Sequence, residues 1–245
     1  MLVFGTREQA ALRRRSLPFP DGEYFKSEWM STGDDPTCSP TIFLVEQPPN
    51  TTIPLHFHRQ NQFQLFVDGS GRIGNHNIQP VTVHYAGAYT VYGPLLSGAE
   101  GLKYFTIRPV FETGALVAKD SRDAMRKGPK RFAQSEPSAV VSIDALRSMI
   151  VPVIIDVIPM QPDGLAARVC RLPPETYFDI PVATQADCHF VVVLAGSILL
   201  ADSELGAWES AYLSGTHARR CTAKSGSEGV ELVVMSTPIK DDAYR

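Results

Sequence analysis

Along most of the chain, apolar residues come in short runs bounded by Gly, Pro, Asn and Asp, and helical spacing is scarce. Such runs occupy Thr41 to Val45, Phe63 to Val67, Val81 to Tyr85, Tyr104 to Ile107, Val153 to Ile158, Phe190 to Leu194, Ile198 to Ala201 and Val230 to Met235. Many short strands with frequent turns predict an all-β sandwich or barrel. Only Arg7 to Arg14, Ala115 to Met125 and Ser142 to Met149 have helical character. The polar stretch Lys119 to Pro137, rich in Lys, Arg, Ser and Pro, reads as a linker near the middle of the chain.

A central linker invites a search for an internal repeat. Pro48-Pro49-Asn50-Thr51 matches Pro173-Pro174-Glu175-Thr176 at an offset of 125. Leu65 to Ser70 matches Val193 to Ser197 once one residue is dropped before the glycine, which puts Gly69 against Gly196 at an offset of 127. Ser97-Gly98-Ala99-Glu100-Gly101 matches Ser225-Gly226-Ser227-Glu228-Gly229 at an offset of 128. Three matches in one order, with so little drift, predict a duplicated β-domain. The expected organisation is an N-terminal barrel with its preceding arm over 1–118, a linker over 119–140 and a C-terminal barrel over 141–245.

Composition narrows the function classes. The 245 residues are 44% hydrophobic and 20% charged, with 18 Gly and 19 Pro, which is ordinary for a globular protein. Net charge is −3 and the only basic run is Arg13-Arg14-Arg15, read as a solvated segment, so nucleic acid is not an expected partner. The most apolar stretches, Ile150 to Ile158 and Phe190 to Ala201, are too short to span a bilayer, and the start of the chain lacks a signal-peptide core, so a cytoplasmic location is expected. Cys38, Cys170, Cys188 and Cys221 form no CxxC pair and read as reduced thiols. Nucleophile triads and phosphate-binding glycine loops are missing from the sequence.

The densest chemistry lies in Pro54-Leu55-His56-Phe57-His58-Arg59-Gln60-Asn61-Gln62. On a strand, His56 and His58 project to one face and Leu55 and Phe57 to the other. Two neutral imidazoles converging on one point are a common grip for a divalent transition metal.

These residues resemble the first motif of the cupin family, which reads Gly, five residues, His-x-His, three or four residues, Glu, six residues, Gly. Here the order is Asn50, five residues, His56-Phe57-His58, three residues, Gln62, six residues, Gly69. The spacing fits. Asn in place of Gly is mild, since Asn tolerates left-handed backbone. Gln62 in place of Glu brings no charge and cannot act as a general base. The family's second motif, Gly, five residues, Pro-x-Gly, two residues, His, counted from Gly87, ends on Gly98; counted from Gly215, it ends on Gly226. Both halves therefore lack that histidine and carry the shared Ser-Gly-x-Glu-Gly turn instead. In the second half, His189 falls on the Glu position, with Ala183 and Gln185 on the two His positions. His189 reads as a hydrogen-bonded core residue, and His76 and His217 as turn residues.

The resemblance implies an all-β protein of two cupin-type jelly-roll (double-stranded β-helix) barrels with a few short helices, the second barrel degenerate. It implies a divalent metal (Fe, Mn, Ni or Zn) on His56, His58 and Gln62, with His84 available as a fourth ligand. Gln64 and Phe66, which share the parity of Gln62, together with Tyr92 would contact the small-molecule ligand; no catalytic residue is assigned. The activity implied is metal-dependent oxidation or isomerisation of a small organic acid or phenolic compound, of dioxygenase or isomerase type, in a chain expected to form homodimers. The competing expectation is a non-catalytic binding or sensory cupin without a working metal site.

Overall fold

The computed structural model describes residues 1–19, 22–218 and 220–245. Strands dominate, as the alternation of apolar and polar residues dictates. The four cysteines are free thiols. Among the described residues no helix is long and apolar enough to cross a membrane.

The first unit comprises Gln9–Ser138 and Lys240–Arg245. Its main sheet runs, in spatial order, Phe132–Gln134, Thr82–Ala86, Gln62–Ile73, Leu95–Arg108, Thr41–Gln47, Gly22–Ser31 and Arg14–Phe19. Register places Gln64 between His84 and Thr106, and Phe66 between Thr82 and Tyr104. One face of Gln62–Ile73 thus carries Gln62, Gln64 and Phe66, while Phe63 and Leu65 on the other face are fully buried. A short strand, His56–Phe57, pairs with Leu116–Val117 and is bridged from His56 to Tyr92. The Arg13-Arg14-Arg15 run ends in an edge strand whose charges are paired, Arg14 with Glu46 at 2.8 Å and Arg15 with Glu28 at 2.7 Å.

The second unit comprises Met1–Glu8 and Ala139–Ile239. Its sheet runs Leu2–Gly5, Ser210–Ser214, Cys188–Leu200, Thr222–Thr237, Ala166–Leu172 and Val153–Ile158. Val191, Val193, Leu213, Leu232 and Val234 fill its interior. A helix, Ile143–Arg147, starts at Ser142, whose side chain accepts from the Ala145 amide.

The three repeat matches turn out to be one hydrogen-bonded corner built twice. Ser97 Oγ donates to the Pro48 carbonyl and accepts from the Thr51 amide at 3.0 Å. Ser225 Oγ does the same with the Pro173 carbonyl and the Thr176 amide, at 2.6 and 2.8 Å. The amides of Asn50 and Glu175 donate to Gly98 and Gly226 at 3.1 and 3.2 Å, and both residues sit at φ 55°. Gly69 and Gly196, at φ 77° and 74°, lie so close to the facing strand that an added Cβ would stand 2.2 and 2.1 Å from the Gly101 and Gly229 carbonyl oxygens. This backbone crossing, with its left-handed φ, accepts only glycine.

Two expectations need revising. The segment Ala115 to Met125 is not a helix: Leu116–Val117 forms a strand with His56–Phe57, and only Arg122–Ala124 makes a single 3-10 turn. Its local helical spacing yields to pairing with a strand distant in sequence. The polar stretch expected to link two domains packs within the first unit up to Ser138, where Phe132–Gln134 pairs with Thr82–Ala86. Both chain ends also cross over, Met1–Glu8 to the second unit and Lys240–Arg245 to the first.

The doubled glycine crossing generates a stability test. Gly69→Ala and Gly196→Ala are each expected to cost at least about 2 kcal/mol in urea unfolding. Gly206→Ala, at ordinary φ with its nearest neighbour 3.9 Å away, stays within about 0.5 kcal/mol of the parent.

Candidate functional site

The inward residues of the first barrel surround a cavity of about 160 Å³. His56, His58, Gln62, Gln64 and Tyr92 line it, and so do Lys26, Phe43, Tyr104, Arg108 and Glu112. The strand period explains the gathering: Tyr104, Thr106 and Arg108 alternate on one face of Leu95–Arg108, beside Phe66, Gln64 and Gln62 of the adjacent strand. The bridge to Tyr92 holds the histidine strand against this wall.

Arg108 organises the polar end. Its side chain is buried, at 2% exposure, so its N–H groups must find partners inside the protein. Nε donates to Gln62 Oε1 at 2.8 Å, one Nη lies 3.1 and 3.3 Å from the ring nitrogens of His58, and the other reaches the Glu112 carbonyl at 3.4 Å. The Gln62 amide nitrogen donates to the Tyr92 hydroxyl at 2.6 Å. His58 Nδ1 lies 3.4 Å from the Glu112 carboxylate, which also accepts from the Arg59 amide. A proton on His58 Nδ1 serves the Glu112 carboxylate and leaves Nε2, 3.3 Å from the Arg108 Nη, as the acceptor. His56 lies 2.7 Å from the Pro54 carbonyl through Nδ1, which leaves Nε2 as its inward atom.

Burial sets the protonation states. His58 is pushed down to about 3, first by burial and then by the Arg108 charge, against the pull of Glu112. Burial also lowers His56, and it takes His84 down to about 4. All three imidazoles are therefore neutral at neutral pH. Burial works to raise Glu112, but its hydrogen bonds from His58 and the Arg59 amide and the Arg108 charge outweigh it, and the carboxyl stays below its usual range. Burial raises Tyr92 and lowers Lys26.

The remaining sequence-predicted residues divide. His84 is buried beside the cavity, with its ring 5.2 Å from that of Tyr92 and the Gln134 side chain next to it. Phe66 does not line the cavity; it packs on Tyr104 at 5.1 Å in the core. His76 and His217 are exposed. His189 is fully buried with Nδ1 2.9 Å from Ser236 Oγ, Ala183 is buried and Gln185 exposed. The sequence reading missed Arg108, Glu112 and Lys26. An arginine with the parity of Tyr104 and Thr106 was the one available signal, and using it requires knowing which strand face is inward.

A divalent metal does not fit these residues as they stand. Gln62 Oε1 and His58 Nε2, two of the three donors such an ion would need, are bound to a guanidinium that stays charged at any working pH. Among the described residues, no three of His, Cys, Asp and Glu are grouped to hold an ion.

The buried histidines make stability depend on pH. Their folded pKa values lie below the unfolded value near 6.5, so between about pH 6.5 and 4 the unfolded chain binds more protons. Stability is complete above this window and falls as pH falls through it. His58 and His84 are expected to remove about 4 kcal/mol together between pH 7.5 and pH 5.0. Urea unfolding at the two pH values measures the drop, to which the lowered His56 also contributes, and His84→Phe should reduce it by about 2 kcal/mol; equal stability at both contradicts the neutral cluster.

No protein-family model matches the sequence, and no curated protein is similar enough to place it. Solved structures do match in fold. A candidate dioxygenase from Nostoc punctiforme PCC 73102 is similar at a TM-score of 0.59 and 11% identity, over 99% of this chain and 85% of that one. The bacterial pirin YhhW of Escherichia coli, in complex with nickel(II), is similar at 0.54 and 10%, over 97% of this chain and 99% of that one. An oxalate decarboxylase of Lactobacillus farciminis, in a formate complex, is similar at 0.57 and 10%, over 93% and 85%. With its duplicated corner, its paired all-β units and these neighbours, the chain has the two-barrel cupin fold.

Proposed function

We propose that the first barrel binds a small organic acid through protein side chains, without a metal. The observation that carries this reading is the charge and shape of the cavity lining. It brings two cations, Lys26 and Arg108, against one carboxylate, Glu112, with the two histidines neutral. This excess of one positive charge, which remains when Glu28 beside Lys26 is counted together with its other partner Arg15, attracts a monoanion. Tyr24, Phe43, Val45 and Tyr104 offer the apolar wall for the body of such a molecule. Lys26 Nζ lies 3.8 Å from the centre of the Phe43 ring and the Arg108 guanidinium 5.4 Å, so both cations adjoin one aromatic ring. The small volume favours a compact acid over a nucleotide or a large cofactor.

Oxidation or isomerisation of the acid at a metal would need His58 and Gln62 free of Arg108, and the hydrogen bonds described above work against that. Binding is therefore the function the geometry supports best. The neighbour solved with formate is in keeping with a small carboxylate as ligand.

Isothermal titration of chelator-treated protein with benzoate, phenylacetate and short aliphatic monocarboxylates tests the reading. At least one acid is expected to bind at one site per chain, with affinity unchanged by EDTA. Lys26→Met and Arg108→Met should each weaken it by about tenfold or more. Silence across the panel, or binding untouched by both substitutions, contradicts it.

A further inference from the structure

In the first barrel two imidazoles and a glutamine amide are held much as metal ligands are, and Arg108 bonds to two of the three. His56 is fixed through Nδ1 on the Pro54 carbonyl at 2.7 Å, so its Nε2 is the atom presented inward. His58 is backed by the Glu112 carboxylate at 3.4 Å, the arrangement by which carboxylates orient metal-binding imidazoles. The two rings stand edge to face, at 84°, with centroids 5.4 Å apart. Two imidazoles sharing one ion at about 2.0 to 2.1 Å with tetrahedral spacing have centroids about 5 Å apart. Gln62 supplies a third donor oxygen, and that oxygen accepts from Arg108 Nε at 2.8 Å.

We propose that Arg108 is the built-in cation of this pocket and that it closes a latent divalent-metal site formed by His56, His58 and Gln62. Arg108 blocks the site in two ways. It consumes the acceptor atoms of His58 and Gln62, and its permanent charge repels a dication at the point where they converge. Tyr92, bonded to the Gln62 amide nitrogen, keeps the oxygen of Gln62 turned to Arg108. Removing the charge while keeping the bulk frees both acceptors and leaves Glu112 to hold His58. The inference stands independently of acid binding, since it concerns only what occupies the donors.

The test uses the full-length chain, stripped with chelator and then offered Ni²⁺ or Co²⁺, with bound metal read by elemental analysis after desalting and by the visible absorption of Co²⁺. Wild type is expected to retain far less than one ion per chain. Arg108→Met should retain about one, with apparent affinity raised about a hundredfold or more, and adding His56→Ala should abolish it. Stoichiometric metal in wild type that His56→Ala removes overturns the proposal. So does a folded Arg108→Met chain, by circular dichroism, that takes up neither ion. If the Met variant does not fold, Arg108→Gln, which keeps polar atoms beside Gln62, is judged by the same criteria. Failure of every acid to bind wild type, with metal uptake in the variant, would defeat the acid-binding reading and leave this one standing.

Discussion

A guanidinium shut away from water must satisfy its donors within the protein, and the first barrel is arranged around that requirement. Arg108 takes acceptors from Gln62, His58 and the Glu112 backbone, and each partner is then fixed in turn. Gln62 is oriented so that its nitrogen meets Tyr92, and His58 is turned so that its other nitrogen meets Glu112. The neutral histidines follow from the same arrangement, because burial and an adjacent positive charge both oppose a second proton on His58. Removing the arginine would therefore disturb tautomers, amide orientation and cavity charge at once, which is the behaviour of a coupled network more than of separate contacts.

The two barrels show how one corner supports different interiors. The Ser97 and Ser225 corners agree bond for bond, and the paired glycines approach their facing strands within a tenth of an ångström of each other. That hardware fixes strand crossing, and crossing is indifferent to what the inward side chains are. In the second unit the same space is packed by Val191, Val193, Leu232 and Val234, and one buried histidine remains beside Ser236. In the first unit, glutamines, histidines and an arginine leave a cavity. Polar side chains that must meet one another at hydrogen-bond distances cannot also fill space as freely as valine and leucine do.

Much of this could be read from the chain alone. Strand alternation is local, so Thr41–Gln47, Thr82–Ala86 and Val153–Ile158 lie close to where the apolar runs put them. The repeat was visible because turns restrict residue type, and the Ser, Gly and Pro-Pro positions that matched are those whose backbone is most constrained. His56 and His58 were found because they share one strand. Arg108 and Glu112 were not, because they meet His58 only after 50 and 54 residues of intervening chain have folded into register. The segment around Leu116 was misread as helix for the same reason: its partner, Phe57, is remote in sequence and outweighs the local preference.

The exchange of chain ends has a consequence for how the protein comes into being. Met1 and Ser214, joined through their backbones, are 213 residues apart, so the Leu2–Gly5 strand has to wait for a segment of its own sheet that is made much later. The first barrel in turn is completed by Tyr244, whose ring lies 4.9 Å from that of Tyr89 and whose hydroxyl meets Lys130. The first unit therefore includes Lys240–Arg245 and the second Met1–Glu8, and a cut at the midpoint would leave each half without a segment that packs in it. Two units that look modular in sequence thus each close through pairings between residues far apart in the chain.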